Sequence, residues 1–226
     1  GDPAFWSAVF RTLYINIGRL IFQFPIPIIL ALLLNEMKFV KFKKVVQTVF
    51  TFPHFLSWIV VASILTNMLS LDGLGNNVLA AFGMERISFL GSPSIFQPML
   101  YITDSWKSAG WGAIVYLAAI SGVDTDQYEA AEIDGASRFQ RVFFITLPNI
   151  MPTIVVMFIL AVGGVMSTGF DQVFNLDNVS VRSVSEILDM YIYRITFQAP
   201  TDFSFSMAVS LFRSTINMVL LLIADR

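Results

Sequence analysis

Residues 149–170, NIMPTIVVMFILAVGGVMSTGF, contain no Asp, Glu, Lys or Arg. A bilayer's hydrocarbon core is about 30 Å thick, and a helix needs roughly 20 predominantly apolar residues to cross it. This run has that length and composition, so it reads as a membrane span. Residues 12–34, 45–70, 96–120 and 203–223 meet the same requirement. The second of these is also uncharged, the first holds only Arg19, the last only Arg213, and 96–120 holds Asp104 and Lys107. Pro25, Pro27, Pro53, Pro98 and Pro152 fall within the runs, which membrane helices tolerate where neighbours satisfy the freed carbonyls. Barrel strands would be half as long and alternate polar with apolar, a pattern none of these runs shows. The expected fold is an all-α, polytopic membrane helix bundle with five membrane segments, forming one domain over residues 1–226.

Composition agrees. Hydrophobic residues make up 56% of the 226, with 22 Phe, more than one aqueous core buries. Charged residues are 13% and nearly cancel, 14 basic against 16 acidic, so no nucleic-acid footprint is present. With no Cys and His54 alone, neither a disulfide framework, a thiol nucleophile nor a His/Cys metal site is expected.

Direction follows from the basic residues, because basic connections stay cytoplasmic. Lys38, Lys41, Lys43 and Lys44 crowd the first connection. Placing it inside also places Arg138, Arg141 and Arg226 inside, and leaves Arg11, Arg86, Arg182 and Arg194 outside. The chain is thus expected to be a multi-pass protein of the cytoplasmic (inner) membrane, with a cytoplasmic loop at 121–149 and an extracytoplasmic loop at 171–202. In the outer loop, Ser183 with Glu186 three residues on predicts a short amphipathic helix burying Ile187, Met190, Tyr191 and Ile195.

The cytoplasmic loop reads SGVDTDQYEAAEIDGASRFQRVFFITLPNIMP from Ser121. Asp124 with Gln127 predicts a capping box and a helix from Thr125 to about Asp134, ended by Gly135 in a left-handed cap. Ser137 with Gln140 predicts a second, differently directed helix toward Pro148. The first helix is acidic, the second basic at its start, and Ala130, Ala131, Gly135 and Ala136 keep the bend slim. That combination suits a docking knob, and it equally suits a plain amphipathic connector on the membrane surface.

Glu129, Ala130, Ala131, Gly135, Ile145, Leu147 and Pro148 stand in the order and spacing of the EAA signature: EAA, three residues, G, nine residues, I-x-LP. By these residues the chain resembles the permeases of binding-protein-dependent ABC importers. FPIPIILALLLNE, PHFLSWIVV, SWKSAGWGAIVYLAAI and GFDQVFNL resemble the branch that takes up oligosaccharides. The resemblance implies the type I importer permease fold and an additional N-terminal helix preceding Gly1 in the native chain. It implies a sugar substrate and no covalent chemistry or cofactor in this subunit. It also implies three kinds of partner: a pair of cytoplasmic ATP-binding subunits, a second permease, and an extracytoplasmic sugar-binding protein. Glu129, Ala130, Ala131, Asp134, Gly135 and Arg138 would then couple to the ATPase. The family pattern leads one to expect an uncharged residue where this chain has Arg213.

No GxxxxGK[ST] phosphate loop is present, so ATP must be hydrolysed by a partner. A secondary transporter or channel using Arg19, Asp104, Lys107 and Arg213 stays open as the alternative. An intramembrane hydrolase would have only His54 and Ser57 as a pairing, without a GxSxG motif. For the substrate pathway, Asp104 and Lys107 lie three apart and can pair on a helix. Each isolated charge costs roughly 2.5 to 3.5 kcal/mol in a membrane helix, so this segment is expected to face the bundle interior or a water-filled cavity. Trp106, Trp111 and Asn67 would add the aromatic faces and amide that sugars engage. The same residues also fit a reading in which the charges merely lock two helices and Trp111 packs.

Overall fold

The computed structural model describes residues 3–167, 169–198 and 203–225. These are predominantly helical, with no strand among them. In chain order the helices are α1 (Pro3–Phe22), α2 (Pro25–Asn35), α3 (Val40–Thr51), α4 (Trp58–Leu69), α5 (Leu74–Ala81), α6 (Pro93–Ser121) and α7 (Thr125–Ile133). They continue with α8 (Arg138–Arg141), α9 (Leu147–Gly163), α10 (Phe170–Leu176), α11 (Arg182–Ser185), α12 (Leu188–Phe197) and α13 (Phe203–Ala224). Among the described residues four helical stretches are long and apolar enough to cross a membrane: Pro3–Asn35, Trp58–Ala81, Arg138–Gly163 and Phe203–Ala224. Helix α6 has the length, at 29 residues, but is less apolar because it carries Gln97, Asp104 and Lys107.

The expected run 45–70 is not one helix. It breaks into α3, a 3₁₀ turn at Phe52–Phe55, and α4. Pro53 supplies no N–H for a ladder bond, and Ser57 starts a fresh helix by accepting from Val60 N at 3.3 Å. The hydroxyl thus caps a helix.

Contacts divide the chain into two compact units. The first comprises Gly1–Leu20, Leu56–Asp104 and Val162–Arg226. Its core joins Ile15 of α1 to Phe96 and Leu100 of α6, Val173 and Leu176 of α10, and Ile187 and Met190 at the start of α12. A second cluster gathers Ala8, Val9, Met166, Leu188, Tyr191 and Val209. Helix α12 therefore exists, but it opens at Leu188 rather than at Ser183. The Glu186 carboxylate is drawn to Arg194 at 2.9 Å, and the free N–H of Leu188 finds the Thr12 hydroxyl of α1 at 2.7 Å. A tertiary acceptor replaces the local cap. Ile187, Leu188, Met190 and Tyr191 are buried in protein, so the element is a core helix and not a surface one.

Arg19 is buried in the same unit. It donates to Gln172 Oε1, and Gln172 Nε2 donates to Leu100 O and Thr103 Oγ1, both at 2.8 Å. The negative charge of Asp104 attracts the Arg19 guanidinium. Gly169 adopts φ 96°, and a Cβ there would overlap that guanidinium. A glycine is required twice over, by the backbone and by the neighbour.

The second unit comprises Ile21–Phe55 and Ser105–Ala161. Ala31 of α2, Ala113, Tyr116 and Ile120 of α6, and Ile150 of α9 form its core. Gly110 of α6 lies directly against the Phe50 carbonyl, an approach that any side chain would block.

Candidate functional site

Two constellations, both within the second unit, could carry function. The first is the loop after α6. Asp124 has extended backbone and accepts from Asp126 N at 3.0 Å, capping α7. Gln127 does not complete the expected box, because its carbonyl accepts from Asn149 Nδ2 at 2.9 Å. Helix α7 ends as expected at Gly135, which has φ 79°. Gly135 N donates to Glu132 O at 3.1 Å and Ala136 N to Ala131 O at 2.9 Å, the two bonds of a Schellman motif. The second box forms as expected. Ser137 N donates to Gln140 Oε1 at 2.7 Å, and Gln140 N to Ser137 Oγ at 3.4 Å.

Side chains then fasten α7 to the helix that follows. Arg141 Nη1 donates to Glu132 Oε2 at 2.8 Å, and the hydroxyls of Tyr128 and Thr146 share a 2.9 Å hydrogen bond. Val142–Thr146 forms a π turn that leads into α9. Of the residues singled out from sequence, Glu129, Ala130, Asp134, Gly135 and Arg138 are exposed and Ala131 is half-buried. Glu129, Asp134 and Arg138 carry no ion pair among the described residues. A Cβ built on Gly135 meets nothing within 4 Å, so the bend is open. Ile133 and Phe139, missed from sequence, are 87% and 78% exposed on the same knob. Their signal was present: large apolar residues on short, otherwise charged helices.

The second constellation is aromatic. Lys107 Nζ donates to the His54 carbonyl at 2.8 Å. The His54 imidazole stacks on Trp111 with centroids 4.6 Å apart and planes 3° from parallel, and Phe55 meets Trp111 edge-on at 6.0 Å. Trp111 and Trp106 remain about half exposed. The structure brings Lys107 and Trp111 together with His54 and Phe55, two residues not assigned to a pathway from sequence. Asp104 belongs to the first unit, beside Arg19. Asn67 also belongs there, on α4, its amide donating to Ser63 O at 2.8 Å.

Residues 23–174 match the family described as binding-protein-dependent transport system inner membrane component. The whole chain aligns at 42% identity, over 226 residues, with the polygalacturonan/rhamnogalacturonan transport system permease protein YteP of Bacillus subtilis, covering 70% of that protein. The chain belongs to this family. It is a multi-pass membrane permease subunit of an ABC transporter and not an enzyme. A solved bacterial ABC transporter involved in the import of the acidic polysaccharide alginate matches with a TM-score of 0.96 at 35% identity, covering all of this chain and 79% of that one. The alginate transporter in complex with its alginate pentasaccharide-bound periplasmic protein matches at 0.95 and 36%, covering 99% and 78%.

Proposed function

We propose that this permease conducts a sugar, an oligosaccharide in particular, through an ATP-driven importer of the cytoplasmic membrane. Its 121–149 loop docks a cytoplasmic ATPase, a second permease completes the pathway, and an extracytoplasmic binding protein delivers the substrate. The observation that carries the coupling role is the loop itself. It is a preformed, solvent-open knob with unpaired Glu129, Asp134 and Arg138 around an unobstructed glycine, flanked by exposed Ile133 and Phe139. Apolar anchors ringed by charge are what a docking groove engages. ATP binding would close the ATPases on this knob, and the displacement would switch the pathway between inward and outward access.

Sugar recognition is assigned to the Trp111 cluster. Aromatic faces and hydrogen-bonding groups suit the pyranose ring, and the Lys107 ammonium beside them favours a sugar bearing carboxylates. The alginate and polygalacturonan transporters among the relatives lend support to an acidic chain. Reconstitution tests the whole assignment. Uptake of an acidic oligosaccharide that requires ATP, the ATPase subunits and the binding protein is expected, whereas uptake by this subunit in ATP-free vesicles would establish a secondary carrier.

A further inference from the structure

We propose that the basic end of α3 binds an anionic phospholipid, with the headgroup phosphate on Lys41 and Lys44 and an acyl chain along Val45 and Val49. Separated from α4 by the break at residues 52–57, α3 stands as a helix of its own, and none of its twelve residues is buried. At about 100° per residue, Lys41, Lys43, Lys44, Gln47, Thr48 and Thr51 fall on one arc. Phe42, Val45, Val46, Val49 and Phe50 fall on the opposite one. The lysines occupy only the first turns, so charge gives way to apolar and hydroxyl groups along the axis, as headgroup gives way to acyl chain.

Three further observations converge. Lys38, Lys41, Lys43 and Lys44 carry no ion pair among the described residues, and Glu36 is the only acid between residues 36 and 71. Lys44, Val45, Thr48 and Val49 line a shallow groove of about 260 Å³, which combines an amine and a hydroxyl with two valines. Phe39, just before α3, and Phe42 in its first turn are 78% and 58% exposed, as aromatics at a membrane interface would be. A cluster of four cations next to an uncovered apolar face matches a phosphodiester with hydrocarbon tails, since cytoplasmic-leaflet lipids attract such clusters. A protein interface fits less well, because lysine is depleted from interface cores.

The test uses the assembled transporter in nanodiscs, with Val49→Cys as the one fluorescently labelled site. Phosphatidylglycerol with brominated tails is expected to quench the label at a mole fraction about tenfold below that needed by brominated phosphatidylcholine. Lys41→Gln with Lys44→Gln should abolish this preference, about threefold per lysine, while leaving phosphatidylcholine quenching unchanged. Equal quenching by the two lipids would overturn the proposal. So would the absence of quenching by either, which means that protein, such as a second permease, covers the face. Loss of the preference in millimolar inorganic phosphate would assign the lysines to a soluble anion instead.

Discussion

His54 and Trp111 lie face to face, 4.6 Å between ring centroids, so one face of the indole is occupied while the side chain stays 48% exposed. In the pathway proposed for this cluster, a sugar ring would stack on the side that His54 leaves open. In a complex assembled to normal levels, Trp111→Ala is expected to raise the transport Michaelis constant about three- to tenfold, the scale of one aromatic contact. Unchanged uptake kinetics would leave Trp111 as packing alone.

Gly135→Val should separate ATP hydrolysis from uptake. A branched residue at φ 79° is strained by about 1–3 kcal/mol, and its methyls project into the open bend that the proposed partner surface would approach. Glu129→Lys reaches the same end by reversing an exposed, unpaired charge. Both are read as the ratio of sugar transported to ATP hydrolysed. Normal ratios with well-expressed protein would remove the docking role.

Arg19→Met should destabilise the permease by about 1–3 kcal/mol, because the buried Gln172 carbonyl then loses its donor. The expected sign is a lowered midpoint in thermal unfolding of the detergent-solubilised complex. Gly169→Ala, which intrudes on the same guanidinium, should lower it as well. A midpoint unchanged in both variants would show that the network contributes nothing.

Membrane direction is open to chemical labelling, because the chain has no native cysteine. Single cysteines at Arg86 and Arg182 should react with an impermeant thiol reagent added to intact cells, and those at Lys41 and Arg138 should not. Outside labelling of Arg138→Cys would reverse the assignment.

What could be read from sequence, and what could not, divides by the distance between partners. Ser137 and Gln140 close their box, and Gly135 its cap, because donor and acceptor lie within a few residues. Gln127 was legible as a box partner and is not one, since Asn149, 22 residues away, competes for its carbonyl. The start of α12 escaped for the same reason: Leu188 is capped by Thr12, 176 residues distant. Apolar runs pointed to five spans, and four helical stretches among the described residues are long and apolar enough to cross a membrane. Pro53 marked where the run 45–70 could break, but hydropathy does not register whether a ladder is interrupted. Of the pathway residues, Lys107 and Trp111 share one cluster, while His54 and Phe55 joined it through a 3₁₀ turn that composition does not announce.

The bend between α7 and α8 is closed by a Schellman pair, a capping box, the Arg141–Glu132 bridge and the Tyr128–Thr146 hydroxyls. Its backbone has therefore surrendered its conformational freedom on folding, at about 1–2 kcal/mol per residue, before any partner arrives. Whatever lands there meets a solid shape, so association is opposed chiefly by lost translation and tumbling and not by ordering of the loop. A displacement imposed on such a knob is passed on as movement of the whole, because little within it is left to yield.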